Sequence, residues 1–181
     1  MTFFDTADFS PVAPPNARFA STVLSWSRPS GTAAYSDGDV IGPTVATAQT
    51  GRIYAVPGMA GQIVTAQLFT TDPAAIDYDL WLFEHEPSGW ADNAEFLPVA
   101  ADLPYIIGRI PFLGAERIRM GAAGITYIDA AKGTDVDVST FCRPYATLGG
   151  NLFAALVART AIATSVTLAK FWVRLGMERQ V

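Results

Sequence analysis

The residues able to do chemistry are few. His85 is the only histidine, set in Glu84-His85-Glu86 after an apolar run, and Cys142 is the only cysteine. General acid–base catalysis needs a titratable group held against substrate, and a nucleophilic triad needs histidine beside a nucleophile and a carboxylate. No G-x-S-x-G turn accompanies His85, and Phe141-Cys142-Arg143-Pro144 lacks a cysteine-protease context. A solvated loop histidine accounts for His85 more simply, so the chain is read as a non-enzyme.

Carboxylates offer a second chemistry. Asp77 and Asp79 stand two apart and share one strand face, and Asp92, Asn93 and Glu95 could supply oxygen ligands from a loop. Neither set matches an EF-hand, and carboxylates on strand faces are ordinarily solvated. A zinc site would need a second histidine or more cysteines. No metal and no cofactor is therefore expected. Aromatic platforms are the third possibility: Trp81, Trp90 and Trp172, with Tyr35 and Tyr54 behind them, could stack on sugar rings. Large strand aromatics more often fill cores and interfaces, and Trp90 alone lies in a loop-like setting. Gly58-Met59-Ala60-Gly61 and Gly121-Ala122-Ala123-Gly124 read as tight turns without a phosphate-binding lysine.

Charge is unevenly placed. Between Arg52 and Arg109 the chain carries eight acidic residues, Asp72 through Asp102, and no Lys or Arg. Its net charge of -5 opposes nucleic-acid binding, which needs a concentrated basic face that Arg117 and Arg119 are too few to form. Only 16% of residues are charged and 50% are hydrophobic. The usual charged fraction is about 25%, so part of the apolar surface is expected to meet other chains. One cysteine excludes an intrachain disulfide and fits a reducing compartment. The N-terminus lacks the basic start and apolar run of a signal peptide, and no window reaches the ~20 apolar residues of a membrane helix.

The elements that must position these groups are strands. Residues 1–20 hold Phe3, Phe4 and Phe9 among Pro11, Pro14 and Pro15, the pattern of an extended N-terminal arm able to anchor on a neighbouring subunit. Residues 21–181 break into short runs separated by Ser36-Asp37-Gly38-Asp39, Pro57-Gly58, Asp72-Pro73, Pro87-Ser88-Gly89 and Gly149-Gly150. That spacing predicts a single all-β domain, an antiparallel β-sandwich. Strands are expected at 22–27, 34–36, 39–41, 52–56, 62–70, 76–84, 105–112, 117–120, 125–130, 136–140, 152–159 and 166–175. In 76–84 one face is apolar and the other runs from acidic to aromatic; in 165–175 Ala169, Phe171, Val173 and Leu175 alternate with Lys170, Trp172 and Arg174. Leu152 to Ala158 is apolar nearly throughout and reads as a central strand covered on both faces. Ala91 to Phe96 alone suits a turn of helix, with Asp92 and Glu95 spaced as a capping box.

Three ordered segments carry a resemblance: Tyr35 to Gly42 (YSDGDVIG), Leu80 to Glu84 (LWLFE) followed by Ala91 to Phe96 (ADNAEF), and Leu152 to Thr160 (LFAALVART) before a final strand. They resemble a group of small tailed-phage virion proteins in which a "Y-x-x-G-D-hydrophobic" start, a "hydrophobic-LF-acidic … DN-x-x-F" middle and an "LVA"-type penultimate strand recur, over most of residues 33–175. The resemblance implies a jelly-roll-like sandwich that decorates or cements a capsid, binding the major capsid protein and itself, with a trimer favoured over a dimer. It implies location on the virion capsid surface after synthesis in the host cytoplasm and no catalytic residue; the acidic charge and the lack of a long apolar window leave no nucleic-acid or membrane partner expected. A tail or head-fibre protein, or a carbohydrate-binding sandwich used in host recognition, is the alternative. The partner-contacting residues expected are Phe3, Phe4 and Phe9 of the arm, Asp77, Asp79 and Trp90 of the acidic segment, and Arg117 and Arg119 of the basic one.

Overall fold

The computed structural model describes residues 19–28, 34–42, 51–53, 60–72, 75–120, 125–129, 143–146, 152–161 and 169–179. Among the described residues there are eleven strands: β1 (Phe19–Ser27), β2 (Val40–Ile41), β3 (Gly51–Ile53), β4 (Ala60–Thr70), β5 (Tyr78–Phe83), β6 (Ile106–Phe112), β7 (Ile118–Met120), β8 (Ile125–Asp129), β9 (Arg143–Ala146), β10 (Leu152–Ala158) and β11 (Lys170–Arg179). Short 3-10 turns at Leu103–Tyr105 and Gly114–Glu116 flank β6.

The strands form two antiparallel sheets. The first runs β1-β11-β4-β8-β7, with β9 also on β4; the second runs β2-β10-β5-β6, with β3 also on β10. Since β2 meets β10 at Leu156 and Val157 and β3 meets it at Leu152 to Ala154, these two are pieces of one strand position. In the same way β8 and β9 divide the flank of β4 between residues 67–70 and 60–63. Counting each divided strand once leaves five positions in the first sheet and four in the second; without the edge strand β7 each sheet has four, with first and last strands adjacent in one sheet and the chain passing repeatedly between layers. This is the jelly roll.

The core lies between the sheets. The first contributes Leu24, Trp26, Ile63, Leu68, Phe171, Val173 and Leu175; the second contributes Ile41, Tyr78, Leu80, Leu82, Ile110, Phe112, Leu152 and Leu156. Period two places Phe171, Val173, Leu175 and Met177 inward along β11. On β4 the inward set changes phase between Ala66 and Ile63, because Gly176 pairs with Thr65 and Met177 with Ile63, leaving Val64 as an extra residue. A bulge of this kind restores the register of the core face beyond it. A second irregularity lies between Leu82 and Phe83, opposite Gly108 and Ile106.

Several expected boundaries move. Phe19 and Ala20 already belong to β1, and 34–36 is not a strand but the entry to a turn at Asp37-Gly38, where Gly38 takes a φ of 93°. β9 falls outside the strands expected from the sequence; it contains Pro144, its only partner among the described strands is β4, and a strand without a central position tolerates proline. The expected strand at 136–140 and the arm phenylalanines Phe3, Phe4 and Phe9 lie outside the described residues. The turn of helix at 91–96 is absent: Asn93 adopts a φ of 62°, and the Ala94 N–H donates to the Ala91 carbonyl in a tight turn.

Candidate functional site

The β5–β6 connection, residues 84–105, folds back over the outer face of the second sheet. Alternation sends Asp79, Trp81 and Phe83 outward from β5, and Phe153 and Ala155 outward from β10. Trp90 and Phe96 of the connection cover them, with Ile106 alongside. Phe96 is the hub, its ring centroid 5.2 Å from Trp81, 4.8 Å from Trp90 and 6.5 Å from Phe83. Every residue of β10 is buried as a result, so its uninterrupted apolar run reflects cover on both faces. The Trp90 indole N–H donates to the Leu97 carbonyl over 3.3 Å. Asp102 accepts from the Ser88 backbone N–H and hydroxyl, and the Glu84 N–H donates to the Tyr105 carbonyl, closing the base of the strap.

The YSDGDVIG segment locks the strap to the sheet. Gly38 N–H donates to the Ala158 carbonyl and Ala158 N–H to the Asp39 carbonyl, tying the turn to β10. On its other side, Val40 N–H donates to Ala94, Asn93 N–H to Val40, and Phe96 N–H to Gly38. Asp92 accepts at one oxygen from the Tyr35 hydroxyl over 2.6 Å and from the Gly42 N–H over 2.9 Å. The Tyr35 ring in turn lies under the buried Arg28 guanidinium, 4.1 Å from its centroid. Burial, then the bond to Asp92, pushes the Tyr35 phenol well above its ordinary range. The three segments singled out in the sequence therefore meet in one hydrogen-bonded unit. Asp92 caps no helix, and among the described residues no three His, Cys, Asp or Glu side chains are grouped as a metal site.

Asp79 is held inside the chain. Its side chain is 2% exposed, and one carboxylate oxygen meets Arg109 at 3.1 Å and Arg159 at 3.3 Å, both half-exposed. Burial outweighs the two guanidinium groups and raises the Asp79 carboxyl above the ordinary aspartate range. Asp77 accepts from the Gly114 N–H over 2.7 Å. Neither carboxylate meets Arg117 or Arg119 in these contacts. Arg109 and Arg159 were not singled out in the sequence, because their meeting with Asp79 depends on strand neighbours that spacing does not reveal. His85 is exposed, its ring centroid 5.1 Å from that of Tyr105 and its Nδ1 3.1 Å from the Glu86 carbonyl oxygen.

The opposite outer face, on the first sheet, is aromatic. Trp172, Phe69, Tyr127 and Ile118 stand in register across β11, β4, β8 and β7. Their inward neighbours Phe171, Leu68, Thr126 and Ile128 are buried, so this row points out. Phe69 and Tyr127 lie 5.2 Å apart, and Gln67 donates from its amide to the Tyr127 hydroxyl over 2.9 Å. Ile118 is 59% exposed, Met120 42% and Val23 50%, with Lys170 and Arg174 exposed on the same sheet. All three tryptophans expected as platforms are half-buried: Trp172 within this row, Trp81 and Trp90 against Phe96.

The fold class is thus a jelly-roll sandwich whose second sheet is strapped and whose first sheet carries one aromatic row on its outer face. Comparison with protein-family models and with curated proteins returned no match for this chain.

Proposed function

We propose that this chain is a non-enzymatic structural protein of a tailed-phage virion, a cement or decoration protein that binds the outer shell and stabilises contacts between capsomers. The observation that carries the reading is the convergence of the three segments on which the virion resemblance rests. Tyr35, Gly38 and Asp39, then Asp92 and Phe96, then Ala158 come from distant parts of the chain and join in one unit. Residues that recur for a structural reason of this kind fix a fold and leave its surfaces to vary. Jelly rolls occur in capsid and lectin domains alike, so the fold is compatible with the reading without selecting it.

In this picture the major capsid protein is the partner, and the arm residues Phe3, Phe4 and Phe9 anchor the domain in apolar pockets of the shell. Buried aromatics supply most of such affinity, whereas exposed ion pairs contribute about 0 to 1 kcal/mol each and set register and on-rate. Asp77 and Asp79 are occupied within the chain, so the acidic partner role passes to Glu84, Glu86 and Glu95 of the strap. Co-sedimentation with capsids lacking the protein tests the reading. Full-length protein is expected to pellet with the shells, and protein lacking residues 1–15 to stay in solution while unfolding at the same temperature. Full-length protein that never pellets would overturn the decoration reading, and an attached deletion variant would overturn the role of the arm.

A further inference from the structure

We propose that copies of this chain associate head to tail, the strap of one seated on the aromatic face of the next. The inference rests on the oligomeric decoration reading, but it is tested in free solution, where it fails separately from shell attachment.

Two apolar surfaces carry it, an exposed one on the strap and a row on the first sheet in which Trp172, Phe69 and Tyr127 are half-buried and Ile118 exposed. Leu97, Val99 and Leu103 project from the strap, exposed by 62%, 48% and 54%, although the strap's other large residues are packed against the sheet. The first sheet presents the Trp172, Phe69, Tyr127 and Ile118 row on the far side of the sandwich. Charge distinguishes the two. The strap brings exposed Glu95 and half-buried Glu84 and Glu86, from a stretch between Arg52 and Arg109 with no basic residue. The outer face of the first sheet brings exposed Lys170 and Arg174 on either side of Trp172, with half-buried Glu178 at the far end of β11.

An apolar patch on a strap without cations, over a sheet whose Arg109 and Arg159 are engaged by Asp79, therefore faces an apolar row flanked by two cations on β11. Each surface repels its own kind and attracts the other, which disfavours a self-complementary two-fold contact. Because the two surfaces lie on opposite layers, the contact is heterologous: a ring where the rotation closes and a filament where it does not. β7 adds a further element, since β8 is its only partner among the described strands. An edge strand carrying exposed Ile118 and Met120 is a liability unless another chain covers it.

The test uses two single variants, Leu97→Glu on the strap and Ile118→Glu on β7, at the most exposed position of each surface so that folding is preserved. Light scattering after gel filtration is expected to show an oligomer of the 19.3 kDa chain for the parent protein. Each variant should be monomeric at the same concentration, its association weakened roughly 30-fold, the effect of losing one interface hot spot. Mixed together, the two variants should form a 1:1 dimer and nothing larger, since Ile118→Glu keeps a working strap and Leu97→Glu keeps a working face. A monomeric parent, unaffected variants, or a mixture that stays monomeric would each overturn the proposal. Should Ile118→Glu unfold, Arg174→Glu replaces it on the face, and should Leu97→Glu unfold, Leu103→Glu replaces it on the strap, with the same weakening expected and unchanged association counting against the contact. A monomeric parent whose Trp172 fluorescence is quenched by a polysaccharide would assign the aromatic row to sugar binding instead.

Discussion

Tyr35→Phe deletes one hydroxyl, and the structure states what that hydroxyl does. It donates to Asp92 over 2.6 Å, in a site where Asp92 also accepts from Gly42. A hydrogen bond to a charged group contributes about 1.5–3 kcal/mol, and a buried donor left without its acceptor costs about 1–3 kcal/mol. Tyr35→Phe should therefore destabilise by about 2 kcal/mol, because its ring still lies under Arg28. Asp92→Ala strands two donors and should cost about 3 kcal/mol or more. In the Asp92→Ala background the hydroxyl has become the stranded donor, so removing it should be neutral or slightly stabilising. Urea unfolding of the four proteins gives a coupling energy of about 2 kcal/mol on this account. Tyr78 supplies the control: its hydroxyl is buried and finds no hydrogen-bond partner among the described residues, so Tyr78→Phe should cost nothing or stabilise. If Tyr35→Phe costs the same with and without Asp92, the bond does not lock the strap and the reasoning fails.

Asp79 gives a pH signature. Its folded carboxyl titrates above the ordinary aspartate range, so in that window the folded state binds more protons than the unfolded one, and stability falls as pH rises through it. Asp79→Asn should remove this part of the slope in urea midpoints measured between acid and neutral pH; an unchanged slope would place its origin elsewhere. Phe96→Ala removes the ring that joins Trp81, Phe83 and Trp90, and should cost about 3 kcal/mol and red-shift tryptophan emission as the strap lifts. Unaltered emission would count against that packing. At Gly114 an added Cβ would lie 2.6 Å from the Ile76 nitrogen and 2.7 Å from the Ala75 carbonyl carbon. Gly114→Ala should therefore destabilise by about 1–3 kcal/mol, read from the thermal midpoint.

The strands were legible where burial is uniform along them. β5 and β11 alternate because one face of each meets the core, and β10 is apolar throughout because the strap covers its second face. The strap itself was legible only as a loop. Its turn at Asp92-Asn93 imitates a capping box, since an aspartate that binds Tyr35 and Gly42 has the same local sequence as one that caps a helix. Trp90 looked exposed because loop composition does not report that a loop has folded onto a sheet. The partners of Asp79 were hidden for a similar reason: Arg109 and Arg159 reach it across strands whose adjacency is a property of the topology. The aromatic row of the first sheet depends on register across four strands, and single residues such as Phe69 and Tyr127 carry no sign of it.

Cryo-electron microscopy of capsids lacking the protein, incubated with it and reconstructed with and without imposed symmetry, tests the central claim most directly. The account predicts ordered jelly-roll density on the outer shell at symmetry positions, with residues 1–15 leading into the capsid surface. Bare shells beside folded, unbound protein would contradict it.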